Sequence, residues 1–122
     1  MISHVAKVGV CVRDQQKALE FFTKQLGFEL TNDVPMGKNA RWIEVRPKGA
    51  ETGLALWTPP GLENRIGTFS CIVFQSKDVQ GTYEQMVAKG IKFTQPPTAQ
   101  AGGLMGIFVD DDGNSFVLRG MD

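Results

Sequence analysis

The chain has 122 residues, 42% of them hydrophobic, and its thirteen Lys and Arg balance thirteen Asp and Glu. That length is one domain's worth of chain, and the composition supports a compact core. A formal net charge of zero argues against nucleic acid or an anionic membrane as the main partner, because both call for a basic surface excess.

The first seven residues, Met-Ile-Ser-His-Val-Ala-Lys, hold no apolar run of signal-peptide length, and no later run approaches membrane-spanning length. The expectation is a soluble, cytoplasmic protein. The first strand follows, with Val8, Val10 and Val12 alternating against Lys7, Gly9 and Cys11. Asp14 then predicts a helix N-cap, since a short carboxylate accepts from free backbone N–H groups. Ala18, Phe22 and Leu26 keep helical spacing, and Gly27 supplies the left-handed residue that ends the helix.

Phe28–Leu30 reads as a short strand, and Asp33-Val-Pro-Met-Gly-Lys-Asn as a loop. Two strands follow. In one, Ile43 and Val45 oppose Trp42, Glu44 and Arg46; in the other, Leu54 and Leu56 oppose Ala55 and Trp57. The paired prolines after Thr58 mark a stiff linker.

The pattern then repeats. Ile72 and Phe74 oppose Cys71, Val73 and Gln75. Asp78 caps a helix carrying Val79, Tyr83 and Val87, and Gly90 ends it. A strand at Ile91–Thr94 leads into Gln95-Pro-Pro-Thr-Ala-Gln-Ala-Gly-Gly, read as a loop. Gly106-Ile-Phe-Val-Asp-Asp echoes Trp42-Ile-Glu-Val-Arg-Pro, which puts Phe108 in the place of Glu44. Phe116 and Leu118 then oppose Ser115, Val117 and Arg119. The acidic stretch Asp110–Asp112 lacks the ligand spacing of a calcium loop and reads as a tight turn.

The fold class this predicts is α+β: two tandem β-α-β-β-β modules, residues 1–58 and 67–122, joined by a linker at 59–66. Each half is too small to bury enough surface alone, so the halves are expected to share a core or a dimer contact. Cys11 and Cys71 show no metal or disulfide spacing and indicate a reducing compartment.

Val-Gly-Val-Cys-Val-Arg-Asp with Ala-Leu-Glu-Phe-Phe-Thr-Lys-Gln-Leu-Gly-Phe, and Phe-Val-Asp-Asp-Asp-Gly-Asn-Ser-Phe-Val-Leu near the end, carry a family resemblance. The chain resembles the vicinal-oxygen-chelate superfamily of glyoxalase I, bleomycin-resistance proteins, extradiol dioxygenases and fosfomycin-resistance thiol transferases. Asp111 stands where that family usually has Pro. The resemblance implies half-closed sheets that pair around a cavity, often across a homodimer.

It also implies that enzymatic members hold a divalent metal with one residue from each of four strands. Those four places are filled here by Lys7, Ala55, Cys71 and Val117. An ammonium repels a cation, and Ala and Val carry no ligand atom. No metal and no cofactor are therefore expected, and no role is assigned to the single histidine, His4.

The inward-facing rows nominate Lys7, Trp42, Glu44, Trp57, Cys71, Phe108 and Arg119 as the lining of a ligand cavity. Lys7 reads either as a snorkelling surface lysine or as the partner of Glu44. Cys71 reads as a small buried residue or as a reactive thiol. Trp42 and Trp57 on a non-core face point to a ligand or to a partner chain. The expected function is metal-independent binding of a small, partly aromatic or anionic molecule. The alternatives are a metal-dependent glyoxalase- or dioxygenase-type enzyme with atypical ligands, and a non-catalytic interaction subunit.

Overall fold

A computed structural model describes residues 1–120 of the chain. They form two compact units, one running from Met1 to Ile66 and the other beginning at Gly67. The fold is α+β, and the units repeat one topology. In the first, β1 (Lys7–Val10), α1 (Gln15–Glu20), β2 (Glu29–Pro35), β3 (Arg41–Arg46) and β4 (Gly53–Leu56) build an open four-stranded sheet of order β1-β4-β3-β2. In the second, β5 (Phe69–Gln75), α2 (Val79–Ala88), β6 (Lys92–Gln100), β7 (Gly103–Val109) and β8 (Ser115–Arg119) give order β5-β8-β7-β6. In both sheets the first strand pairs parallel to the last and the other neighbours are antiparallel.

Both helices start as their sequence dictates. Asp14 accepts from the Lys17 N–H at 3.1 Å, and Asp78 from the Gly81 N–H at 3.0 Å. Gly27 and Gly90 end them at φ 76° and 86°. The first helix departs from the regular spacing expected through Leu26. After Glu20 the chain widens into a π turn over Phe21–Gln25, and the Leu26 N–H reaches back to Phe21 O at 3.0 Å. The wider turn buries two neighbouring rings, Phe21 and Phe22, packed edge to face at 5.2 Å, and leaves Leu26 half-buried. In α2 the packed face holds Val79, Tyr83 and Met86, while Val87 is exposed.

Two expected loops are strand. Asp33–Pro35 belongs to β2, and the Pro96-Pro97 stretch lies inside β6. Both are outer strands, where a proline without an N–H removes no ladder bond on its free side. Register shifts between Phe93 and Gln95 and between Gln95 and Thr98 absorb the prolines.

Each unit has its own apolar core. Val10, Phe21, Phe22, Ile43, Val45, Leu54 and Leu56 are buried in the first, and Val79, Met86, Ile91, Phe116 and Leu118 in the second. Gln15 locks the first core at its open end. Its amide donates to Arg41 O at 2.5 Å and Leu56 O at 2.8 Å, and accepts from the Arg41 N–H at 3.0 Å. On the same side of the sheet, the Arg41 guanidinium grips Asp33 at 2.6 Å and holds that carboxyl below the usual range, chiefly by its hydrogen bonds, with burial opposing them and coulombic attraction adding to them.

The turn at 110–114 closes the β7–β8 hairpin around a buried carboxylate. Asp110 accepts from the N–H groups of Asp112 (3.0 Å) and Asn114 (2.8 Å) and from Asn114 Nδ2 (2.8 Å). Burial nevertheless pushes its carboxyl above the usual range.

Candidate functional site

Register arranges the first sheet's second face, away from Ile43 and Val45, into three rows. Lys7 stands beside Gly53, and a Cβ placed on Gly53 would fall 3.2 Å from Arg46 Cβ, so Lys7, Gly53 and Arg46 share a row across three strands. Glu29, opposite Arg46 on β2, ends it. The next row holds Gly9, Ala55, Glu44 and Asn32. In the third row Trp57, just beyond β4, meets Trp42 ring to ring at 5.5 Å, with Val34 opposite Trp42. Both tryptophans are part-exposed.

Two polar contacts tie the rows together. Lys7 Nζ lies 3.7 Å from Glu44 Oε2, with side-chain exposures of 36% and 17%. Glu44 Oε1 accepts from the Trp42 indole N–H at 2.9 Å. The carboxylate thus serves the lysine with one oxygen and the tryptophan with the other. Lys7 also donates to Ala6 O at 3.4 Å. The Arg46 side chain makes no hydrogen bond or ion pair among the described residues, and its Nε is buried without a partner. Four of the seven nominated residues, Lys7, Trp42, Glu44 and Trp57, are therefore brought together on one face. Arg46 and Asn32 stand with them.

The second unit carries the other three and does not gather them. Phe108 is only 1% exposed and stacks with Phe116 at 5.3 Å and Phe74 at 6.1 Å, while Phe93 links it to Tyr83 of α2. It sits on the helix-packed face, which corrects its nomination as a lining residue. The cause is an offset of one residue in aligning the repeats. Ile107 pairs with Val117 as Glu44 pairs with Ala55, so Ile107 occupies the place of Glu44, and a slip of one flips a strand residue to the other face. Cys71 and Arg119 lie on β5 and β8, with Arg119 paired to Gln75, four residues along from Cys71. Cys71 is exposed rather than buried, at φ 64°, the one positive value at a non-glycine among the described residues.

The row of the second sheet that corresponds to Ala55 and Glu44 is aliphatic across three strands. Val73 pairs with Val117 and Ile107 with Val117, and Phe69 and Val73 are 52% and 54% exposed. The four positions where the fold family places metal ligands do not fit a cation. Lys7 presents an ammonium, Ala55 and Val117 present hydrocarbon, and Cys71 offers one thiol. Among the described residues no three His, Cys, Asp or Glu side chains are grouped to hold an ion. No helix among them is long and apolar enough to cross a membrane.

The family model for the glyoxalase/bleomycin resistance protein/dioxygenase superfamily matches residues 1–118. The chain belongs to that superfamily. It is 41% identical over 119 residues to YetH of Bacillus subtilis (strain 168), a match covering 98% of this chain and 99% of that one. Among solved structures, a superfamily member from Sphaerobacter thermophilus DSM 20745 superposes with a TM-score of 0.89 at 34% identity, covering 98% of both chains. TnmS3 from Streptomyces sp. CB03234, described as an antibiotic binding protein, superposes with a TM-score of 0.85 at 32% identity, covering 99% of this chain and 98% of its own. The superfamily fold accounts for the repeated topology. What a given member does is decided by the side chains on its sheet faces.

Proposed function

We propose that the chain binds a small, partly aromatic or anionic molecule without a metal, on the first sheet's face bearing Trp42, Trp57, Lys7 and Glu44. The observation that carries this reading is the Trp42–Trp57 pair, 5.5 Å apart and tilted by 57°, part-exposed on the face opposite the buried core. Two indoles side by side offer a broad flat apolar surface, and Glu44 holds one of them by its N–H. On the β1 and β4 side Gly9 and Ala55 keep the floor between the polar row and the tryptophans low, which leaves room for a flat guest beside Glu44. The similarity to TnmS3 supports the reading.

The donor chemistry at positions 7, 55, 71 and 117 supports metal independence, since neither unit offers a pair of ligating residues there. Binding here is sequestration: stacking and charge hold the guest. The test is a thermal-shift screen of aromatic metabolites, thiol adducts and antibiotics, with metal analysis of the dialysed protein. A ligand that stabilises the protein, and loses that effect in Trp57→Ala, supports the reading, because a binder of the folded state raises its stability. A stoichiometric transition metal surviving dialysis, with turnover that a chelator abolishes, overturns it.

The chain is further proposed to act as a cytoplasmic homodimer. Exposed Phe69 and Val73 on β5 favour a partner surface, and two free cysteines suit a reducing compartment. Light scattering that returns a monomer mass at micromolar concentration would exclude the dimer.

A further inference from the structure

We propose that the molecule held on the first sheet is an aromatic carboxylate, its ring system on Trp42 and Trp57 and its acid group taken by Arg46 and Lys7. This rests on the binding reading above and names the chemistry of the guest.

The argument starts from hydrogen-bonding capacity. Glu44 is the half-buried anion of the face, and both of its oxygens are engaged, one by Trp42 and one by Lys7. The Lys7 ammonium beside it already offsets its charge, so a cationic guest gains little there. The donors are in the reverse condition. The Arg46 guanidinium carries five N–H donors and makes no hydrogen bond or ion pair among the described residues, although the residue is half-buried. Lys7 has three donors, and its contacts to Glu44 and Ala6 are long, at 3.7 and 3.4 Å. Glu29, across from Arg46 on the outer strand, is exposed and makes no ion pair with it. A part-buried guanidinium without an acceptor is costly to keep, and a ligand carboxylate matches its fork with two parallel bonds.

The spacing of the rows sets the size of the guest. The Arg46 row and the Trp42 row are four residues apart along β3, so about 13 Å separates their Cα positions at about 3.3 Å per residue. Over β1 and β4 the middle row holds only Gly9 and Ala55, and Lys7 leans across it toward Glu44, which shortens that gap to the length of a fused bicyclic arene with one carboxyl group. A single small ring would leave either the indoles or the guanidinium uncovered. The order of the rows also orients the guest, acid toward Lys7 and Arg46, ring toward the tryptophans.

Calorimetric titration of the full chain with 2-naphthoate and with its uncharged counterpart 2-naphthamide tests this. The acid is expected to bind about ten-fold more tightly than the amide, the gain typical of a charge-assisted bond. Arg46→Met should bring the two affinities together by weakening the acid far more than the amide, with circular dichroism showing that the variant is folded. Trp57→Ala should weaken both. Equal binding of acid and amide to the unaltered protein overturns the carboxylate assignment and leaves the aromatic reading standing. An acid preference that survives both Arg46→Met and Lys7→Met overturns it as well. If neither probe binds, the reading of this face fails together with the inference.

Discussion

Trp42 and Glu44 stand two residues apart on one strand, and the indole N–H of the first donates to Oε1 of the second at 2.9 Å. The period of two puts both side chains on the same face, so one carboxylate fixes the ring against Trp57 and holds Lys7. Glu44→Gln should keep an acceptor for the indole while removing the charge that balances Lys7. The expected outcome is a stability change below about 1 kcal/mol, since part-exposed ion pairs contribute little. Glu44→Leu removes the acceptor and should cost about 1 kcal/mol or more, with altered tryptophan emission. Chemical denaturation and fluorescence of the two variants check this. A Gln variant as damaged as the Leu variant would show that charge, not the hydrogen bond, holds the ring.

Gln15 offers a sharper stability test. One amide satisfies two carbonyls and one N–H at the open end of β3 and β4, from the first turn of α1. Gln15→Ala leaves those half-buried backbone groups without their partner, and the expected loss is about 2 kcal/mol. Gln15→Glu removes both donations and sets a carboxylate against two carbonyls, so it should cost at least as much. Urea denaturation midpoints for the two variants decide it. A loss under about 0.5 kcal/mol for Gln15→Ala would mean that water replaces the amide.

The repeat, the capped helices and the alternation of core and non-core residues could all be read from the chain, because each rests on local chemistry. Asp14, Asp78, Gly27 and Gly90 act within a few residues of themselves. The Lys7–Glu44 pair was legible for a related reason: both residues lie on the non-core face of strands that the repeat places in one sheet. Phe108 was not. Its face depends on the register of β7 against β8, and the aligned text of the two halves was off by one. Arg46 was legible on the face of Trp42 and Glu44, but Asn32 gained its place from pairing with Glu44, where a bulge between Leu30 and Asn32 shifts the register without any mark in the sequence. The π turn in the first helix was equally silent, since Phe21 and Phe22 fit a regular helix as well.

Two aspartates should move stability with pH in opposite directions. The Asp110 carboxyl is raised by burial, so the folded state binds its proton more tightly than the unfolded one. The stability it contributes is complete below the ordinary aspartate range and is lost as pH rises through the raised folded value. Asp33 is lowered by Arg41, so its contribution is present above the ordinary range and is lost as pH falls through the lowered folded value. Stability measured against Asp110→Asn across the acid range should therefore fall with rising pH. Measured against Asp33→Asn it should rise. Matching slopes in the two series would contradict the assignment.

The bulge in β5 gives a last prediction, one of sign. Cys71 is held at φ 64°, and the Ser70 hydroxyl spans the irregularity by accepting from the Ile72 N–H at 3.1 Å and donating to Ser115 O at 2.7 Å. Left-handed backbone costs an L-residue about 1–2 kcal/mol, and most for a β-branched side chain. Cys71→Gly removes that strain but adds freedom to the unfolded chain, so the net change should lie between zero and about 1 kcal/mol of stabilisation. Cys71→Val should destabilise by about 1–2 kcal/mol, although valine is the better strand former, because the backbone here is not that of a strand. Ser70→Ala should cost about 1 kcal/mol, having removed the bond that closes the bulge. Thermal melts of the three variants separate the cases. If Cys71→Val proves more stable than Cys71→Gly, the chain at this point is regular strand, and the departure from the pattern set by Lys7 in the first unit disappears.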